Sequence, residues 1–102
     1  MLGPQQRISP SKRLQEMEDR AKRLTAEIAY VSEMNRLASQ MVHATGKMLS
    51  LMDENHTSDR KFGETIAQVD GALHAKIQQC DAWLLENAPK LKKLTDQLSG
   101  ER

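Results

Sequence analysis

The chain has 102 residues, 38% of them hydrophobic but only three aromatic (Tyr30, Phe62 and Trp83), so a self-sufficient globule of this size would be poorly filled. Fifteen basic and fourteen acidic side chains leave a net charge of +1, which argues against nucleic-acid binding, where a net basic face displaces counterions. The lone cysteine, Cys80, closes no internal disulfide and fits a reducing compartment. No apolar run of signal-peptide or membrane-spanning length is present, so a cytoplasmic chain is expected.

Residues 1–10 read as a flexible leader, with Gly3 and two of the three prolines. Ser9 and Pro10 suit an N-cap followed by proline at the first helical position. Ser9-Pro10-Ser11-Lys12 also fits the pattern read by proline-directed kinases, which makes Ser9 a candidate phosphorylation site. A helical coiled-coil domain is then expected over residues 11–98, in arms of about 11–54 and 58–98.

The first arm opens with a clean heptad. Leu14, Met17, Ala21, Leu24, Ile28 and Val31 alternate spacings of three and four, the signature of a coiled-coil seam. The same register continues through Asn35, Ala38, Val42, Thr45, Leu49 and Met52. Asn35 is thus a polar residue at a core position, a device that fixes register and partner number. A second apolar row runs one residue out of phase: Met34, Leu37, Met41, Ala44, Met48 and Leu51. Two adjacent rows make a face broad enough to touch at least two other helices.

Residues 53–61 contain nothing apolar and form the best turn candidate, with Thr57 or Ser58 available to cap the next helix. Matched arms of roughly 60 Å favour a hairpin. None of those nine residues is Gly or Pro, so a continuous kinked rod stays open as the alternative.

In the second arm the apolar stripe reads Phe62, Ile66, Val69, Leu73, Ile77, Cys80, Leu84, Asn87, Leu91, Leu94 and Leu98. Two successive spacings of four, Val69 to Leu73 to Ile77, predict a stutter that locally relaxes a left-handed supercoil. Gly63, Ala67, Gly71 and Ala75 align as a row of small residues suited to close helix approach. Pro89 predicts a kink or break near 87–89, a short terminal helix to Leu98, a stop at Gly100 and a tail over 99–102.

No catalytic, metal or cofactor constellation emerges. His43, His56 and His74 are widely spaced and read as solvated, and Cys80 lies on an apolar stripe as a small hydrophobe. Phosphate loops and nucleophile elbows are missing from the sequence. The fold class is therefore all-α, a non-enzymatic chain whose long amphipathic helices bind partner helices. The residues expected to do so are Leu14, Met17, Leu24, Ile28, Val31, Asn35, Met41 and Met48 in the first arm. In the second they are Phe62, Ile66, Val69, Leu73, Ile77, Trp83, Leu84, Leu91 and Leu94.

Two stretches carry a family resemblance. Met34-Asn35-Arg36-Leu37-Ala38-Ser39 is similar to a Met-Asn-Lys-Leu-x-Ser stretch, and Asp81-Ala82-Trp83 with Lys90-Leu91-Lys92-Lys93-Leu94 to an Asp-Ala-Tyr with a Lys-rich, Leu-punctuated tail. Both resemble small subunits of the lysosome-related-organelle biogenesis complex, particularly the second subunit. Asp81 to Asn87 also resembles the Trp-Leu-x-x-Asn ending of coiled-coil stalks in the tumour-susceptibility subunit of ESCRT-I. Either resemblance implies a structural subunit of a hetero-oligomeric coiled-coil complex in endosomal–lysosomal trafficking. It would be cytoplasmic or peripheral on those membranes, with membrane contact only through the complex. The composition alone leaves two rivals, a helical component of a kinetochore or spindle complex and a homodimeric helical adaptor.

Overall fold

The computed structural model describes residues 10–55 and 59–101. Within them the chain is all-α, two long helices packed as a hairpin: α1, Pro10–Glu54, and α2, Arg60–Glu101. Pro10 opens α1, where its missing N–H costs no intrahelical bond. Of the leader expected over 1–10, Pro10 belongs to the helix, and residues 1–9, with the candidate phosphorylation site Ser9, lie outside the described residues, as do Thr57, Ser58 and Arg102.

The turn is tighter than the polar run 53–61 implied, because Asp53 and Glu54 stay in α1 while Arg60 and Lys61 already belong to α2. Asn55 ends α1, its backbone N–H donating to the Leu51 carbonyl at 3.2 Å and its side-chain amide to the same oxygen at 2.8 Å. Asp59 occupies the cap position that the sequence reading gave to Thr57 or Ser58. Its carboxylate accepts the Phe62 N–H at 3.2 Å, which satisfies one of the unpaired amides at the start of α2.

The chain divides into two compact units. In the terminal unit, residues 10–29 pack against 85–101 around Ala21, Leu94 and Leu98, with Leu14, Met17 and Leu91 against that cluster. Pro89 was expected to kink or break the helix here and Gly100 to stop it; there is no break, and α2 continues through both to Glu101. The energetics explain the continuity. Interior proline costs about 3 kcal/mol relative to alanine, whereas burying Leu94 and Leu98 contributes about 3–6 kcal/mol together. Pro89 itself lies on the exposed side, away from that packing.

The second unit, Tyr30–Leu84, holds the turn. Here α1 presents Val31, Asn35, Ala38, Val42, Thr45, Leu49 and Met52 inward, all buried or half-buried. The α1 register expected from sequence is thus the packed one along the whole helix.

On α2 the packed row differs from the expected one. The residues withdrawn from solvent are Gly63, Ile66, Asp70, Leu73, Ile77, Cys80, Leu84, Asn87, Leu91, Leu94 and Leu98, with Trp83 beside them. These alternate spacings of three and four throughout, so the stutter does not exist. Choosing Val69 rather than its polar neighbour produced it, and Val69 is in fact 39% exposed. Asp70 is tolerated in the seam because the Thr45 hydroxyl donates to its Oδ1 at 2.6 Å, and its Oδ2 lies 3.3 Å from His74 Nδ1. Of the small-residue row, Gly63 alone meets the other helix: a Cβ there would lie 3.1 Å from the Met52 methyl. Ala67, Gly71 and Ala75 are exposed, and nothing stands within 4 Å of a Cβ added at Gly71.

Candidate partner-binding surface

The hairpin uses most of the predicted interface residues for itself. Leu14, Met17, Leu24, Ile28, Val31, Asn35, Ile66, Leu73, Ile77, Leu84, Leu91 and Leu94 are buried or half-buried on the rows that line the two helices. Sequence periodicity cannot separate these roles, since an apolar seam has the same spacing whether its partner is another chain or the next helix. Met41, Met48, Phe62 and Val69 remain on the surface, and Trp83 is half-buried.

The exposed residues form a pattern. Tyr30, Met34, Leu37, Met41, Ala44, Met48 and Leu51 alternate spacings of four and three along α1, a second heptad stripe beside the packed one. Leu51 is 60% exposed and Met41 52%, while Met34 alone is half-buried. The sequence reading began this row at Met34 and missed Tyr30. The four-residue step back from Met34 was the available signal. Leu85, exposed in the terminal unit, was also missed, and no periodic signal marks it.

The stripe is one-sided. The equivalent positions on the other side of the packed seam hold Ser32, Ser39, Gly46 and Asp53, all exposed and none of them apolar. In an antiparallel pair, the same heptad position of each helix comes to the same flank. On α2 that position holds Phe62, Val69, Lys76 and Trp83, so three apolar side chains join the α1 stripe and Lys76 is the cation among them. Lys76, Gln79 and Trp83 line a shallow groove with Val31 and Cys80. Among the described residues, seven of the eight exposed large hydrophobics lie in the unit Tyr30–Leu84, which identifies a partner-binding helical protein.

Two polar contacts within this unit join residues of the two helices. Asn35 Nδ2 donates to Asp81 Oδ1 at 2.8 Å, while Asn35 Oδ1 is buried and accepts no hydrogen bond. The hydrogen-bonded Asn35 therefore keeps one unmet acceptor, which is unfavourable for stability. Thr45 and Asp70 form the second polar contact, about two heptads nearer the turn on α1 than the start of the unit. On the exposed face, Arg36 Nε donates to Glu33 Oε1 at 2.6 Å, and this hydrogen bond holds the Glu33 carboxyl below its usual range.

Among the described residues no group of three His, Cys, Asp or Glu side chains is placed to hold a metal ion, and no helix is long and apolar enough to cross a membrane. No protein-family model, curated protein or solved structure matches the chain.

Proposed function

We propose that the chain is a non-enzymatic structural subunit of a hetero-oligomeric coiled-coil complex, with the apolar stripe from Tyr30 to Leu51 receiving a helix of another subunit. The observation that carries this reading is the stripe itself. A hairpin that needed only its own two helices would require one apolar row on each, yet α1 has two, and the second keeps heptad spacing with every member but the half-buried Met34 exposed. Three methionines on that row supply flexible side chains that adapt to a partner surface.

Endosomal–lysosomal trafficking is the cellular setting we assign, with the chain cytoplasmic or peripheral on those membranes. Support comes from the two stretches that resemble the organelle-biogenesis subunit, Met34–Ser39 and Asp81–Trp83. Their members Asn35 and Asp81 are hydrogen-bonded to each other, so the resemblance falls on one structural feature rather than two unrelated ones.

The test is a Leu37→Lys/Met41→Lys variant, with purification from cells and mass spectrometry of co-eluting chains. Helicity by circular dichroism should match the parent, because neither side chain is in the packed seam, while trafficking-complex subunits should be lost from the eluate. Retention of the same partners by the folded variant would remove the stripe from the interface. Co-elution of spindle components would replace the trafficking assignment. A parent eluate holding this chain alone at dimer mass would replace the hetero-oligomer.

A further inference from the structure

The terminal unit carries a second surface, of opposite character to the exposed stripe. Between residues 20–27 of α1 and 87–97 of α2 runs a groove whose apolar floor is Leu24 and Leu94. Arg20 and Arg23 line it from α1, and Lys90 and Lys93 from α2. The single acid on the groove is Glu27. Four cations against one carboxylate is a strong local imbalance on a chain whose net charge is only +1.

Within the described residues three of these four cations are without an ion pair. Arg20, Arg23 and Lys93 take part in no ion pair. Lys90 Nζ lies 3.9 Å from Glu86 Oε1, at the outer edge of ion-pair distance, with both side chains well exposed. All four basic residues are on the surface. Exposed cations gathered on one groove favour an acidic ligand.

From this arrangement we infer that the groove is a docking site for an acidic amphipathic helix of a partner protein, apolar along one stripe and flanked by glutamates or aspartates. The leucine floor takes the stripe, and the arginines and lysines on the two walls take the flanking carboxylates. This is the division of labour between core and flanking heptad positions that sets partner choice in coiled coils. Two features favour a helix over other polyanions. The floor is apolar, which a phosphate backbone does not use, and no aromatic side chain lines the groove to stack a base. The groove also lies in a different unit from the Tyr30–Leu51 stripe, so it is a surface beyond the one on which the proposed function rests.

The experiment uses the full chain and a fluorescein-labelled peptide of about three heptads, with Leu at the core positions and Glu at the flanking ones. A matching peptide carries Lys in place of Glu. Vesicles of phosphatidylcholine with phosphatidylserine and a single-stranded adenylate oligonucleotide serve as the other polyanions. Fluorescence anisotropy should show the Glu peptide binding at least about tenfold tighter than the Lys peptide, the sum of several exposed charge pairs. The preference should shrink between about 50 and about 200 mM NaCl.

Arg23→Glu/Lys90→Glu should reverse the preference. Arg20→Glu/Lys93→Glu is the second pair, used if the first loses helicity. Leu37→Lys/Met41→Lys should leave binding of the Glu peptide unchanged. If only that last variant abolishes it, the peptide sits on the stripe and the groove proposal falls while the proposed function stands. Equal binding of the two peptides, a preference insensitive to both charge reversals, or binding of vesicles or oligonucleotide without the Glu peptide would each overturn the inference.

Discussion

Replacing Asn35 by leucine should stabilise the hairpin, and the size of the effect follows from three contributions. The buried Asn35 Oδ1 has no hydrogen-bond partner, and removing an unmet acceptor recovers about 1–3 kcal/mol. A leucine at this half-buried position gains part of the roughly 1.5–3 kcal/mol of full burial, about 1 kcal/mol. Against these stands the hydrogen bond from Nδ2 to Asp81 Oδ1, which lies on the exposed side and contributes about 1 kcal/mol. The balance is a gain of about 1–3 kcal/mol, which raises Tm by at least about 4 °C in a chain of this size. Thermal melts followed by circular dichroism, at several protein concentrations, measure it directly. An Asp81→Ala variant calibrates the hydrogen bond, and a loss above about 1 kcal/mol there would mean its contribution is understated. The price of the leucine should be register: cysteine cross-linking between α1 and α2 should become less selective. A lower Tm for Asn35→Leu would refute the argument, because it would show that the unmet acceptor is satisfied in solution.

Two other substitutions probe the packed seam. Thr45→Val removes the donor to a mostly buried carboxylate and should destabilise by about 1–3 kcal/mol in chemical denaturation, with Thr45→Val/Asp70→Leu recovering the loss; an unchanged single variant would place Asp70 in water. Pro89→Ala should raise Tm through a gain of up to about 3 kcal/mol while ellipticity at the helix minimum stays constant, since α2 already passes through Pro89. A clear rise in helicity would show instead that the helix is interrupted there.

The expected break at Pro89 and the expected stutter failed for the same reason. Both came from ranking residues by type along one helix, with no knowledge of what the other helix offers. Proline is a helix breaker unless flanking leucines are held, and Leu91, Leu94 and Leu98 are held by Leu14, Met17 and Ala21. Aspartate is an unlikely seam residue unless a donor faces it, and Thr45, twenty-five residues away, supplies that donor. The cap shows the same effect on a smaller scale: Thr57 and Ser58 were the expected caps, and the structure gives the role to the next residue, Asp59.

Helix identity was readable from the sequence because it depends on local spacing, and the α1 rows at three- and four-residue intervals admit no other regular structure. The α1 register followed as well, since apolar residues occupy nearly every seam position from Leu14 to Met52. Which of the two α1 rows meets α2, and therefore which is left for a partner, was not readable: both rows have the periodicity of a coiled coil, and periodicity has no term for chain connectivity. The tertiary structure decided it by pairing Thr45 with Asp70 and Asn35 with Asp81 across the helices, which holds the row through Val31 and Ala38 inward and leaves the row through Leu37 and Met41 outside. Contacts between residues distant in sequence separate the two apolar faces, because turning the other row inward would take Thr45 away from the Asp70 carboxylate and leave that half-buried group without its donor.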